Sequence, residues 1–165
     1  AALVVAAELP AVRAQFEANL GALRQSRAEL AVYRWPQWPL QDAVRLPDGV
    51  DLNPATGHFR AALGIDPGNV TASRRLGQIE LSRGRFAEAR RHLEVAYAGA
   101  PGERATRQLY GESLAVTGDP VGAARLWRSL PAAEDQFAIR RFWYGHIGDP
   151  ASAQRVDEAI AMSRR

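Results

Sequence analysis

The chain has 165 residues, a length typical of one domain, and 47% of them are hydrophobic, which is enough for a packed core. It contains no cysteine, so disulfides, thiolate catalysis and cysteine-ligated zinc are excluded. All 21 basic residues are arginine, yet the net charge is only +3, whereas a nucleic-acid-binding domain usually carries a denser basic stripe.

The N-terminal stretch joins an apolar start to an amphipathic helix. Residues 1–7 are too few to span a bilayer and lack the basic start of a secretory signal. They fit a short helical turn, the end of a transmembrane helix or the remainder of a processed leader. From Pro10 to about Tyr33 a helix is predicted, which packs against the repeats or emerges from a membrane. Its large apolar residues are Val12, Phe16, Leu20, Leu23, Leu30 and Tyr33.

A segment rich in tryptophan and proline follows. Proline comes directly after Trp35 and Trp38 and pushes both toward extended backbone. The two tryptophans are expected either to cover the open end of a helical core or to form a binding platform. Residues 40–46 are predicted as a short helix and residues 47–53 as a loop.

The chain is organised around residues 70–101, which predict two helices with a tight turn at Gly84 and an end at Pro101. The pattern returns about 34 residues later, a period typical of helix–turn–helix repeats. The matched positions are Gly77 and Gly111, Gly84 and Gly118, Ala89 and Ala123, and Leu93 and Trp127. We expect the small residues to let paired helices approach closely, and the turn glycines to adopt the left-handed conformation that ends a helix.

This pattern resembles the tetratricopeptide repeat, on the residues Leu76, Gly77, Gly84, Phe86, Ala89, Leu93, Ala96 and Pro101. Glu80 and Pro120 depart from it, because the family usually carries aromatic residues at those positions. The resemblance implies an all-α fold, a solenoid of antiparallel helix pairs with an N-terminal helix and degenerate capping units.

The predicted domain boundaries follow from the same repeat pattern. Residues 1–52 are assigned to the N-terminal helix and the cap rich in tryptophan and proline, and residues 53–165 to the repeats. The repeats divide into a half unit at 53–68, units at 69–101 and 102–131, and a degenerate unit at 132–165. Asn53 and Asn69 are predicted as helix N-caps. Whether the degenerate unit forms a full helix pair stays open.

Signals for catalysis and metal binding are weak. Gly111-Glu112-Ser113 approaches the nucleophile elbow of hydrolases, but the final glycine is missing and the stretch lies inside a predicted helix. The three histidines, at 58, 92 and 146, stand apart, without the H-E-x-x-H spacing of zinc peptidases. We therefore predict a protein that is not an enzyme and that holds no metal or cofactor.

In tetratricopeptide proteins, ligands usually lie along the face made by the first helix of each unit. Carried over to this chain, the peptide-binding groove comprises Arg74, Gln78, Leu81, Gln108, Glu112, Phe142 and His146. Arg74 with Gln78 suits a carboxylate or a backbone amide, because arginine offers a fork of donors. The sequence thus predicts a protein-binding or peptide-binding scaffold without affinity for nucleic acid. The alternative for these residues is an ordinary solvated face.

A second resemblance concerns the wider context. The stretch ANLGALRQSRAELAVYRWPQWPLQDAV and the repeat sequence RRLGQIELSRG are similar to the soluble tails of bacterial membrane proteins in the O-antigen ligase and polymerase class. This implies an accessory domain of a larger membrane-associated bacterial protein.

Two alternative functions remain. One is self-association through the region of Trp35 and Trp38 or through the C-terminal helix near Ile160. The other is binding of an anionic glycan by the arginines of the central unit, which are Arg74, Arg75, Arg83, Arg85, Arg90 and Arg91.

Overall fold

A computed structural model describes residues 9–33, 41–130 and 134–165 of the chain, with the side chains of 134 and 135 left aside. This part of the chain contains nine helices and no strand, so the all-α prediction is confirmed. The helices are α1 (Pro10–Ala31), α2 (Gln41–Val44), α3 (Asn53–Ile65), α4 (Val70–Ser82), α5 (Phe86–Gly99), α6 (Arg104–Val116), α7 (Pro120–Trp127), α8 (Glu134–His146) and α9 (Pro150–Ser163). The expectations for residues 1–7 and for Trp35 and Trp38 lie outside the described residues.

Neighbouring helices pack in pairs. The pairs are α4 with α5, α6 with α7, and α8 with α9, while α1 pairs with α3 across the segment that contains α2. The first helices of successive pairs also touch, α1 with α4 and α4 with α6. Residues 134–165 therefore form a helix pair, which the sequence left open.

The close approach of paired helices depends on glycine. A Cβ atom on Gly77 would lie 2.5 Å from Cγ of Leu93, and one on Gly111 would overlap the indole of Trp127. Both large side chains are buried, Leu93 at 0% and Trp127 at 2% exposure. The predicted role of these two glycines is confirmed, because any larger residue would push the helices of its pair apart.

Tight turns join the helices of each later pair. Gly84, Gly118 and Gly148 have φ values of 70°, 93° and 74°, in the left-handed region that favours glycine. After the second and third turns, the carboxylates of Asp119 and Asp149 accept hydrogen bonds from the backbone at the start of the next helix. The predicted left-handed conformation at Gly84 and Gly118 is confirmed.

The contact face of α1 consists mainly of small residues. Its buried residues are Ala14, Ala18, Gly21 and Gln25, and Gly21 lies against the ring of Phe59 on α3. Most of the large apolar residues that predicted this helix lie away from that face. Five of the six are exposed, namely Val12, Phe16, Leu23, Leu30 and Tyr33, and Leu20 is half-buried. Hence α1 packs on α3 through its small-residue face and presents an apolar stripe to solvent.

Two local predictions have different outcomes. Asn69 caps α4 as expected, since its side-chain oxygen accepts a hydrogen bond from the N–H of Ala72 at 3.0 Å. The N-cap prediction for Asn53 is wrong, because α3 already begins at Asn53 and the N-cap position falls on Leu52. The carboxylate of Asp51 accepts the N–H of Asn53 instead, at 2.9 Å.

Candidate functional site

A cleft of about 460 Å³ opens on the face made by the first helices. Its walls come from α4, α6 and α8, and its remaining side comes from α2 and Arg45 directly after it. The lining residues are Gln41, Asp42, Arg45, Gln78, Leu81, Gln108, Leu109, Glu112, Gln136, Ile139 and Arg140. Amide and aliphatic side chains dominate the walls, and charged side chains lie at the base.

Four of the seven residues predicted for the groove line this cleft: Gln78, Leu81, Gln108 and Glu112. The other three are not among the described residues that line it. Arg74 faces Glu103, with Nε and Oε2 3.4 Å apart. Phe142 is 61% exposed and stacks on His146 with ring centroids 6.0 Å apart. The central residues of the predicted groove therefore lie together in one cleft, whereas Arg74 at one end and Phe142 and His146 at the other lie outside it.

A buried ion cluster forms the base of the cleft. Arg140 of α8 donates from Nε to Oε1 of Glu112 at 2.8 Å and from a terminal nitrogen to Oδ2 of Asp42. The hydroxyl of Tyr144 donates to the same Glu112 oxygen at 2.6 Å. Glu112 is fully buried, so it supports the base of the cleft and is not a solvent-facing contact residue. One guanidinium thus holds two carboxylates from distant parts of the chain.

The cluster shifts the titration of its members. Burial acts to raise the pKa of Asp42, but the charge of Arg140, hydrogen bonds from Arg140 and Ser82, and the charge of Arg45 together lower that pKa below its ordinary value. Burial acts to lower the pKa of Arg140, and the charges of Glu112 and Asp42 raise it well above the ordinary value. The guanidinium is therefore charged at any pH at which the protein folds, and Asp42 is ionised at neutral pH.

Sequence reasoning did not identify the contribution of α2. Asp42 accepts a hydrogen bond from the hydroxyl of Ser82 at 2.7 Å, and Arg45 donates from Nε to Glu29 at 2.7 Å. The backbone oxygen of Arg45 in turn accepts a hydrogen bond from Nε of Arg83 at 2.8 Å. These partners are separated by 16 to 40 residues, so no local pattern could have paired them.

Four of the six arginines of the central unit each contact a different partner. Arg91 is paired with Glu88 on its own helix, and Arg90 donates to the hydroxyl of Thr117 at 3.0 Å. Arg83 is bound to the backbone of Arg45, and Arg74 faces Glu103. Two of these partners are carboxylates, which offset the charges of Arg74 and Arg91. Arg83 and Arg90 donate to neutral oxygen atoms and keep their positive charge.

Two histidines form matching pairs with carboxylates. Nδ1 of His92 lies 2.7 Å from Oε2 of Glu80, and Nδ1 of His58 lies 2.7 Å from Oε2 of Glu17. The first pair explains how a glutamate is accommodated at Glu80, which is 7% exposed.

Within the described ranges, no group of three or more His, Asp or Glu side chains could hold a metal ion. None of the helices described is long and apolar enough to cross a membrane.

Comparison with models of known protein families gives no match, and comparison with curated protein sequences gives none either.

Proposed function

We propose that the chain is a tetratricopeptide-like helical-repeat module that binds an extended peptide segment in the cleft. The observation that carries the proposal is the row of glutamine amides on three successive first helices, Gln78, Gln108 and Gln136. Each amide offers a donor and an acceptor, as does every peptide group of an extended ligand. Leu81, Leu109 and Ile139 lie between them and supply apolar contact.

The repeat assignment is supported by the recurrence of one packing device. Phe59, Leu93 and Trp127 are spaced by 34 residues, and each lies against a glycine of its paired helix. Helices α4 and α6 start 34 residues apart, as do α5 and α7. We further propose, on the sequence resemblance, that the module belongs to a larger membrane-associated bacterial protein.

Filling the cleft should weaken peptide binding. Peptides that bind the wild-type chain are first selected from a random phage-displayed library. We expect Gln108→Trp to lower the affinity for these peptides by about tenfold or more, because the indole would occupy the centre of the cleft. The matched control is Gln154→Trp, on the exposed face of α9, which should change binding less than about twofold. Isothermal titration calorimetry with the selected peptides measures both. Equal binding by the two variants, or failure to enrich any peptide, would refute the proposed function.

A second candidate function is self-association through α1. The exposed apolar residues at its N-cap and along its length include Leu9, Phe16, Leu23 and Leu30, which repeat every seven residues. Coiled coils bury apolar residues at two positions, a and d, of a seven-residue repeat, and this stripe supplies one of the two in four successive heptads. A second copy of the chain is therefore the occupant that fits this stripe. Ile160, considered above for the same role, instead packs against the core.

Sedimentation equilibrium tests this candidate. We expect the wild-type chain to dimerise, and Phe16→Asp at the centre of the stripe to be monomeric, because the interface would then bury an unpaired carboxylate. The control Ile147→Asp changes another exposed apolar residue, in the turn before α9, and should leave the dimer intact. A wild-type chain that stays monomeric at the highest soluble concentration would exclude self-association through α1.

A further inference from the structure

Helix α2 lies inside the groove and divides it. On its other side a second cleft of about 340 Å³ lies between α1 and α4, and it shares Gln41, Arg45 and Gln78 with the first cleft. The first helices thus form one groove that continues on both sides of a short segment of the chain's own backbone. This segment comprises residues 41–46.

The segment is anchored by its charges. Asp42 is bound by the guanidinium of Arg140 on α8 and by the hydroxyl of Ser82 on α4. Arg45 is bound by Glu29 on α1, through Nε at 2.7 Å and a terminal nitrogen at 3.1 Å. The two anchors lie three residues apart in the chain and reach opposite walls of the groove.

Its apolar contribution is small. The helix has only four residues, and only Ala43 and Leu46 of this segment pack, partly buried, against the core. Departure of the segment removes one of the two carboxylates that pair with Arg140 and the arginine that pairs with Glu29, and the loss of these ion pairs opposes opening. A ligand that supplies the same two charges at the same spacing removes this obstacle.

We propose that residues 41–46 occupy the peptide site in cis, and that the external ligand is a peptide with an acidic residue followed three positions later by a basic residue. The acidic side chain takes the place of Asp42 on Arg140 and Ser82, and the basic side chain takes the place of Arg45 on Glu29. This inference rests on the proposed function, because it names the ligand of the same groove and the device that regulates access to it.

Competition in cis sets the expected behaviour. A tethered segment acts at an effective concentration in the millimolar range, so an external peptide binds only the fraction of molecules in which α2 has left. Weakening the anchors increases that fraction, and the apparent affinity for an external peptide rises in proportion.

The probe is a synthetic peptide with the sequence of residues 41–50, QDAVRLPDGV, labelled for fluorescence anisotropy. We expect it to bind Asp42→Asn/Arg45→Gln about tenfold or more tightly than it binds the wild-type chain. The matched control, Asp48→Asn/Arg60→Gln, removes the same charges at exposed positions and should behave as wild type. A peptide with alanine in place of its aspartate and arginine should fail to bind. Equal binding by the variant and its control would overturn the proposal.

Limited trypsin digestion gives a readout that needs no ligand. We expect the bond after Arg45 to resist trypsin in the wild-type chain, because Arg45 is 3% exposed. Asp42→Asn and, independently, Glu29→Gln should each speed cleavage at this bond about fivefold or more relative to Asp48→Asn. Unchanged protection in both variants would overturn cis occupancy even if library peptides bind the cleft. Faster cleavage and binding of QDAVRLPDGV, with no peptide enriched from the library, would uphold cis occupancy and refute the binding of external peptides by the wild-type chain.

Discussion

Replacing Arg140 by methionine is expected to lower the free energy of unfolding by about 3–5 kcal/mol, because it leaves two buried carboxylates without their counter-charge. Glu112 is 0% exposed on α6 and Asp42 is 7% exposed on α2, so both carboxylates would lose their counter-charge in a buried position. Urea unfolding followed by circular dichroism measures the difference.

Two companion variants separate charge from packing. Arg141→Met changes the neighbouring arginine, which is exposed and lies 3.5 Å from Asp157, and should alter stability by less than about 0.5 kcal/mol. Adding Glu112→Gln to Arg140→Met removes one unpaired charge and should restore about half of the loss or more. If Arg140→Met were as stable as Arg141→Met, the ion cluster would not contribute to stability.

The same variant should respond differently to pH. In the wild-type chain the pKa of Asp42 is lowered, so the stability that this carboxylate provides is present above its ordinary pKa and is lost as the pH falls through the lowered value. Without Arg140, burial is the dominant influence and the pKa of Asp42 should rise above the ordinary value. The ionised Asp42 carboxylate then destabilises the variant at neutral pH, and protonation of that carboxylate at lower pH reduces the destabilisation. The stability gap between the two proteins should therefore narrow as the pH is lowered from 7 toward 4.

The features that the sequence predicted well are local and periodic. Gly84 and Gly118 were found because a turn demands a left-handed residue at a fixed offset, and Gly77 and Gly111 because a repeat places the same contact in each unit. Such positions are decided by backbone conformation and by the nearest helix. Both can be deduced from about 34 residues of sequence.

The features that the sequence missed depend on contacts between distant segments. The pattern of large apolar residues in α1 identified a helix but not its buried face, because a small face can pack more closely on the ring of Phe59. Glu112 lies near the groove as expected, but Arg140 and Tyr144 of α8 bind its carboxylate and bury it. Asp42 and Arg140 are 98 residues apart, and neither neighbourhood hints at the other.

Replacing Gly111 by alanine is expected to destabilise the protein by about 3 kcal/mol. The added Cβ atom would overlap the indole of Trp127, which is 2% exposed and lies 4.4 Å from the ring of Phe137 between centroids. A side chain so confined cannot move aside, so α6 and α7 would separate. The hydrogen bond from Nε1 of Trp127 to the backbone oxygen of Gln108, 3.2 Å long, would also be broken.

The matched control is Gly57→Ala, at an exposed helical position of α3 where an added Cβ atom meets nothing within 4 Å. This change should stabilise the chain by about 0.5–1 kcal/mol, because alanine loses less backbone entropy than glycine in a helix. Stability changes of opposite sign in the two variants would exclude a general effect of replacing glycine by alanine. For a domain of this size, thermal unfolding should place the Gly111 variant about 6–12 °C below wild type. Equal melting temperatures for the two variants would show that the close approach of α6 and α7 tolerates a larger residue, and the periodic contact of glycine with a large side chain would then have no energetic role.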